Sequence, residues 1–245
     1  MTAPLLHVDN ISKRFGGFVA LDGVDLVVQP GERLGLIGPN GSGKSTLVNC
    51  ICGTLRNEAG SVHFDGHVVD KLTAHERTHR GLARSFQLPR PFHSMTLADN
   101  LRIPLLYTVR AREGMLHAHT DLEARCHELL DLVGLLKKAG QMPRDLTQVE
   151  MRKLELARAM AAEPKLLIAD ESMAGLSNSE IEDILTLLFR LNETGITVIL
   201  IEHIMSAVMK FSQRLAVLVS GKKVADGKPE DVVRDPEVVR AYLGQ

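Results

Sequence analysis

Eight residues set the terms for this chain: Gly38-Pro39-Asn40-Gly41-Ser42-Gly43-Lys44-Ser45 fits the pattern G-x-x-x-x-G-K-[ST]. The apolar run Leu34-Gly35-Leu36-Ile37 leads in and Thr46-Leu47-Val48-Asn49 leads out, so the stretch reads as strand, loop and helix start. Glycines 38, 41 and 43 let the backbone reach positive φ and approach a ligand closely. Successive N–H groups at a helix N-terminus can then surround phosphate oxygens. The binding face is expected to run over Gly38, Pro39, Asn40, Gly41, Ser42, Gly43, Lys44, Ser45 and Thr46, with Lys44 on the β- and γ-phosphates and the Ser45 hydroxyl on Mg²⁺.

At 245 residues the chain is long enough to bury a substantial core in one domain or two. Its formal charge of −1 gives no argument for nucleic acid or an anionic membrane surface as partner. No run approaches the roughly 18 apolar residues of a spanning helix, and Met1 to Leu6 lacks the features of a leader, so a cytoplasmic protein is expected. Cys50, Cys52 and Cys126 form no C-x-x-C pair and read as reduced thiols.

Residues 5–37 read as short strands with an antiparallel start, and Phe15 lies beside glycines between the first two. That ring could stack on a purine face or simply anchor a loop. A helix over 44–55 follows, then a hairpin over 60–69 with Asp65-Gly66 at its turn and a short strand at Ala83-Arg84-Ser85-Phe86 before Gln87. Two prolines in Leu88-Pro89-Arg90-Pro91-Phe92 end that pattern. Residues 94–140 are mostly helix-like, with Leu122, Cys126, Leu129, Leu130 and Val133 on one face and an exposed loop or frayed helix over Arg110 to Thr120. The exposed face of this insertion is a candidate docking surface.

The chain returns to α/β with the buried-type strand Lys165-Leu166-Leu167-Ile168-Ala169-Asp170-Glu171, ending in two carboxylates, and the buried-type strand Ile196-Thr197-Val198-Ile199-Leu200-Ile201 ends at Glu202-His203. Ligands of open parallel sheets sit beyond the carboxyl ends of strands, so the loop at 38–45, Asp170-Glu171 and His203 are expected to converge. Asp170 would share Mg²⁺ with Ser45, and Glu171 would act as general base on water. His203 could hold that water or the γ-phosphate, and Gln87 could contact Mg²⁺ and water. The acidic pair could instead merely cap a helix.

This order of motifs resembles the ATP-binding subunits of ABC transporters over essentially the whole chain. Phe15 looks like the adenine-stacking aromatic, 38–45 the Walker A loop, Gln87 the Q-loop glutamine, 166–171 the Walker B strand and His203 the switch histidine. Arg14-Phe15-Gly16-Gly17, Ser85-Phe86-Gln87, Ile201-Glu202-His203 and Arg240-Ala241-Tyr242-Leu243-Gly244 are similar to the branched-chain amino-acid importer branch. The resemblance implies one domain over 1–245: a P-loop NTPase (RecA-like) α/β core with an N-terminal antiparallel β subdomain over 1–87 and 163–245, and an inserted helical subdomain over 88–162. It also implies ATP and Mg²⁺ as ligands, transmembrane permease subunits as partners, a solute-binding protein acting indirectly, and a peripheral place on the inner face of the cell membrane. A soluble ABC-type ATP-binding regulator with little hydrolysis is the alternative.

The departure is Leu146-Thr147-Gln148-Val149-Glu150, where the family usually has LSGGQ or LSYGQ, the signature that meets ATP held by the opposite subunit. Thr147-x-x-Glu150 still forms a capping box. Gln148 and Val149 put side chains where the family brings bare backbone to a γ-phosphate, and Glu150 adds negative charge. Ser172 replaces a usual proline, and Ser177 stands where many members carry Asp or Asn. A heterodimer with a paralogous ATPase subunit carrying an intact signature is therefore expected.

Overall fold

In chain order the strands and helices are β1 (Leu6–Phe15), β2 (Phe18–Val28), β3 (Arg33–Ile37), α1 (Lys44–Cys52), β4 (Ala59–Phe64), β5 (His67–Val68), α2 (Ala74–His79), β6 (Leu82–Ser85) and α3 (Leu97–Pro104). They continue with α4 (Leu122–Leu132), α5 (Gln148–Met160), β7 (Leu166–Asp170), α6 (Asn178–Glu193), β8 (Thr197–Ile201), α7 (Met205–Phe211), β9 (Arg214–Val219), β10 (Lys222–Gly227), α8 (Pro229–Val232) and α9 (Pro236–Leu243). This computed structural model describes residues 3–85, 89–109 and 122–243; the loop expected over Arg110 to Thr120 lies outside them, as does Gln87.

Two sheets carry the molecule. A four-stranded sheet has the order β2-β1-β4-β5, and a six-stranded one the order β10-β9-β3-β8-β7-β6. The first is antiparallel throughout; in the second only the β9–β10 pair is antiparallel. The expected antiparallel start over 5–37 holds for β1 and β2 alone. β3 leaves them for the middle of the other sheet, and its last four residues are buried, as a strand covered on both faces requires.

Leu47, Val48 and Ile51 of α1 pack with Leu6, Val24 and Phe64 of the antiparallel sheet and Leu34, Ile168 and Ile199 of the mixed sheet in one apolar cluster. A second cluster joins Leu97 and Leu101, Cys126 and Leu130, Leu154 and Ala157 to Leu167, Leu188 and Leu200. The three helices before β7 thus share a core with the sheet. The three cysteines are buried thiols; burial pushes Cys50 up to about 11 and Cys52 up to about 12.

The helix after the phosphate loop stops at Cys52, earlier than the expected residue 55, because Gly53 turns left-handed (φ 76°) and returns its N–H to Asn49 and Cys50. Sequence reasoning missed α2, although Thr73 and Glu76 form a capping box at its start. It also missed β10, a strand that is half-buried at most.

Candidate active site

β3 delivers the phosphate loop from the centre of the parallel sheet, beyond its carboxyl end. Gly38 has φ 153° and a Cβ there would stand 2.1 Å from the Leu218 carbonyl; Gly43 has φ 105° and its Cβ would stand 2.6 Å from the Ala20 carbonyl. The loop therefore closes only with bare backbone at these two positions. Lys44 is buried and donates from Nζ to the carbonyls of Gly38 at 2.6 Å and Pro39 at 3.1 Å. Desolvation lowers its pKa, while the charges of Glu171 and Asp170 oppose that shift. The buried Ser42 hydroxyl has no hydrogen-bond partner among the described residues. Gly38 N–H donates to the oxygen of Tyr242, in the last turn of α9, partly offsetting the rise that burial gives the phenol.

β7 and β8 lie side by side in parallel, with Asp170 level with Ile201. Glu171, one step beyond, takes φ 48° and donates its N–H to the Ile201 carbonyl at 2.9 Å. Its Oε1 then lies 3.1 Å from His203 Nε2. A non-glycine residue in this backbone region is strained, a feature common where a side chain must be aimed. The neighbouring Asp170 carboxylate is bound by the Arg84 guanidinium at 2.5 Å, and Arg84 also donates to Asn49 Oδ1 on α1 at 2.8 Å. Glu202 is buried and accepts from the Met173 amide at 2.8 Å. Burial pushes its carboxyl up to about 7, against the hydrogen bonds from the amides of Met173 and His203.

Of the expected site residues, Asn40, Gly41, Ser42, Gly43, Lys44, Ser45, Thr46, Glu171 and His203 line a single cavity of about 200 Å³. Gly38 and Pro39 do not line it; their carbonyls accept from Lys44, which does. Asp170 is held beside it by Arg84 and contributes to the field on Lys44. Phe15 does not line the cavity; half its surface is exposed, and the Lys13 ammonium sits 5.6 Å from its ring centroid. The ring that lines the cavity is Phe18, across the Gly16-Gly17 turn. Its signal in the sequence was the same as that of Phe15, an aromatic next to glycines. Arg84 was not singled out, although a lone arginine in a strand burying its neighbours is itself a cue for a buried partner.

In the signature region Thr147 caps α5, with its side chain accepting from Glu150 N at 3.3 Å and Glu150 Oε2 accepting from Thr147 N at 3.0 Å. The charge of Glu150 does not stand alone as the sequence implied: Lys138 pairs with it at 2.6 Å, and this contact first holds the carboxyl below its usual range. Gln148 extends Nε2 to the Ala174 carbonyl at 3.4 Å. Ser177 caps α6, with its N–H and hydroxyl both donating to Glu180.

The model of the ABC transporter family matches residues 21–174. The chain belongs to the ABC transporter family. It is the ATPase subunit of such a transporter. A second family model, that of the branched-chain amino acid ATP-binding cassette transporter, matches residues 222–245, the segment that includes Tyr242. The chain is 35% identical to the high-affinity branched-chain amino acid transport ATP-binding protein BraF of Pseudomonas aeruginosa, with 100% of both chains covered. It is equally similar, over 100% of both chains, to the corresponding protein LivG of Escherichia coli. The ADP conformation of an ATP-binding cassette of an ABC transporter superposes with a TM-score of 0.88 at 32% identity over 100% of both chains.

Proposed function

We propose that this subunit drives import of branched-chain or closely related amino acids through a separate permease. The observation that carries the catalytic half of this reading is the cavity shared by the phosphate loop and the Glu171–His203 pair. The amides of 40–46 take the phosphate oxygens of ATP, and Lys44 exchanges its two carbonyl partners for the β- and γ-phosphates. Glu171 accepts a proton from the water that attacks the γ-phosphorus, and ADP leaves as the bridging P–O bond breaks. His203 fixes the carboxylate of Glu171 and reaches the γ-phosphate. Ser45 and Asp170, an all-oxygen pair, suit Mg²⁺ and would hold it together with Gln87. Bound there, the ion would supply positive charge against the phosphates. Phe18, with Phe15 across the turn, offers the adenine a ring face.

The substrate class rests on the full-length similarity to BraF and LivG. No helix among the described residues is long and apolar enough to cross a membrane, which fits a peripheral subunit held on the inner face by permease subunits, with a solute-binding protein acting through them. A groove of about 450 Å³ where α2 and β6 meet α3 and α5, bordered by the exposed rings of Phe92 and Tyr107, is the surface offered to the permease. It belongs to the helical subdomain proposed for 88–162 and its seam with the core. Gln148 and Val149 favour a paralogous ATPase partner that supplies an intact signature over this chain's ATP.

Reconstitution with the permease and binding protein encoded beside it tests the reading. Leucine-loaded binding protein is expected to stimulate ATP hydrolysis in proteoliposomes. Stimulation by another solute class alone overturns the substrate assignment, and association with no permease overturns the transport role.

A further inference from the structure

Three charged or polar side chains from two elements converge on one short stretch of backbone between Glu171 and Ser177. Glu202, buried to 3% exposure, accepts the Met173 N–H at 2.8 Å and also the His203 N–H. Arg152, buried to 7% exposure on α5, donates to the very next carbonyl, that of Ala174, at 3.5 Å. Gln148, one turn earlier on the same helix, reaches that carbonyl as well. The charges of Arg152 and Glu202 attract each other across the stretch. A buried carboxylate and a buried guanidinium are costly to keep unless each has such work.

We infer that Glu202 and Arg152 are positioning residues that clamp the Met173–Ala174 backbone and so hold the Glu171 carboxylate against His203. This rests on the reading of Glu171 as base. Glu202 anchors both sides of the pair at once: through Met173 it fixes the chain that leaves Glu171, and through its own neighbour it fixes the amide of His203. Arg152 attaches that clamp to the helix whose first turn is the signature. A displacement of α5 when a partner's nucleotide is engaged therefore moves Ala174 and, three residues back, the strained Glu171. Gln148 makes the linkage tighter in this chain, because it occupies a position where a glycine could make no such contact.

Hydrogen exchange on the full-length chain and ATP hydrolysis by the assembled transporter test the clamp together. E202A and R152A should each speed exchange of the Met173 amide by about tenfold or more, leave the β3 and β7 amides protected, and change the ATP Kd less than about threefold. Each should lower kcat on the order of tenfold. The double variant should be no worse than the poorer single, since both act through one segment. Unchanged Met173 exchange in E202A, additive losses in the double variant, or losses carried by Kd overturn the proposal. If E202A does not fold, E202M, similar in length and without an oxygen to accept the Met173 N–H, is read by the same outcomes. E171Q separates the two readings: it should abolish hydrolysis with Met173 still protected, and retained hydrolysis would overturn the base while the exchange data still decide the clamp.

Discussion

His203 Nε2 and Glu171 Oε1 stand 3.1 Å apart although 32 residues separate them in the chain. Adjacent parallel strands bring them together, and the positive φ of Glu171 aims the carboxylate at the imidazole. With Glu171 as base, E171Q should lower kcat of the assembled transporter by at least about 100-fold with little change in ATP affinity. H203A should lower kcat by a smaller factor, because it removes the hold on the base but not the base. Steady-state hydrolysis alongside nucleotide titration checks both; a loss expressed mainly in affinity would contradict the assignment.

Phe18, and not Phe15, lines the nucleotide cavity. Base–aromatic stacking is worth about 1–3 kcal/mol by alanine substitution, so F18A should weaken ADP binding by about tenfold. F15A should weaken it by less than about threefold. Calorimetric titration of the two variants distinguishes the rings, and the reverse order would return the stacking role to Phe15.

Glu202 gives the fold a pH dependence of its own. Its carboxyl is raised from about 4.5 to about 7 by burial, so between those values the native chain binds more protons than the unfolded one. Stability is then highest below about pH 4.5 as far as this group is concerned, falls as pH rises to about 7, and levels off above it. The full span is at most about 3 kcal/mol. In urea titrations E202Q should flatten this slope between pH 5 and 7; an unchanged slope would remove Glu202 as its source.

Arg77, only 2% exposed, closes the end of α1 by donating to the carbonyls of Cys50 and Ile51, each at 2.7 Å, and to Leu72 at 3.2 Å. Its guanidinium occupies the space a side chain at Gly53 would need. R77M keeps much of the apolar volume but orphans those carbonyls and removes a cation from a helix C-terminus, at a cost of about 3 kcal/mol. The urea midpoint reads it. A shift below about 1 kcal/mol would mean that water replaces the guanidinium readily.

Local chemistry made much of the site legible in sequence. The phosphate loop, Asp170-Glu171 and His203 each end an apolar run, and strand ends of a parallel sheet share one edge, so their convergence followed from pattern alone. The capping box at Thr147 was equally local. What stayed hidden depends on partners distant in sequence. Lys138 neutralises Glu150 from 12 residues away, and Arg84 crosses 86 residues to Asp170. Tyr242 meets Gly38 only because α9 packs Val238 into the cluster that holds Ile37 and Val217. No periodicity encodes such meetings. The choice between Phe15 and Phe18 was hidden for a different reason: both flank the same turn, and only the hairpin's twist decides which faces the loop.

The central place of β3 also has a consequence in time. Its neighbours are β8 and β9, and the Gly31 amide at its approach is bonded to Thr197, 166 residues further along. During synthesis the phosphate loop therefore emerges long before the strands that hold it in place exist. The antiparallel sheet, built from nearby strands, can close early, whereas the nucleotide site must wait for the chain beyond residue 214 to pair with β3. Competence to bind ATP should thus appear as one of the last events of folding, and a nascent chain halted before β9 would carry the whole phosphate-loop sequence with no fixed cradle.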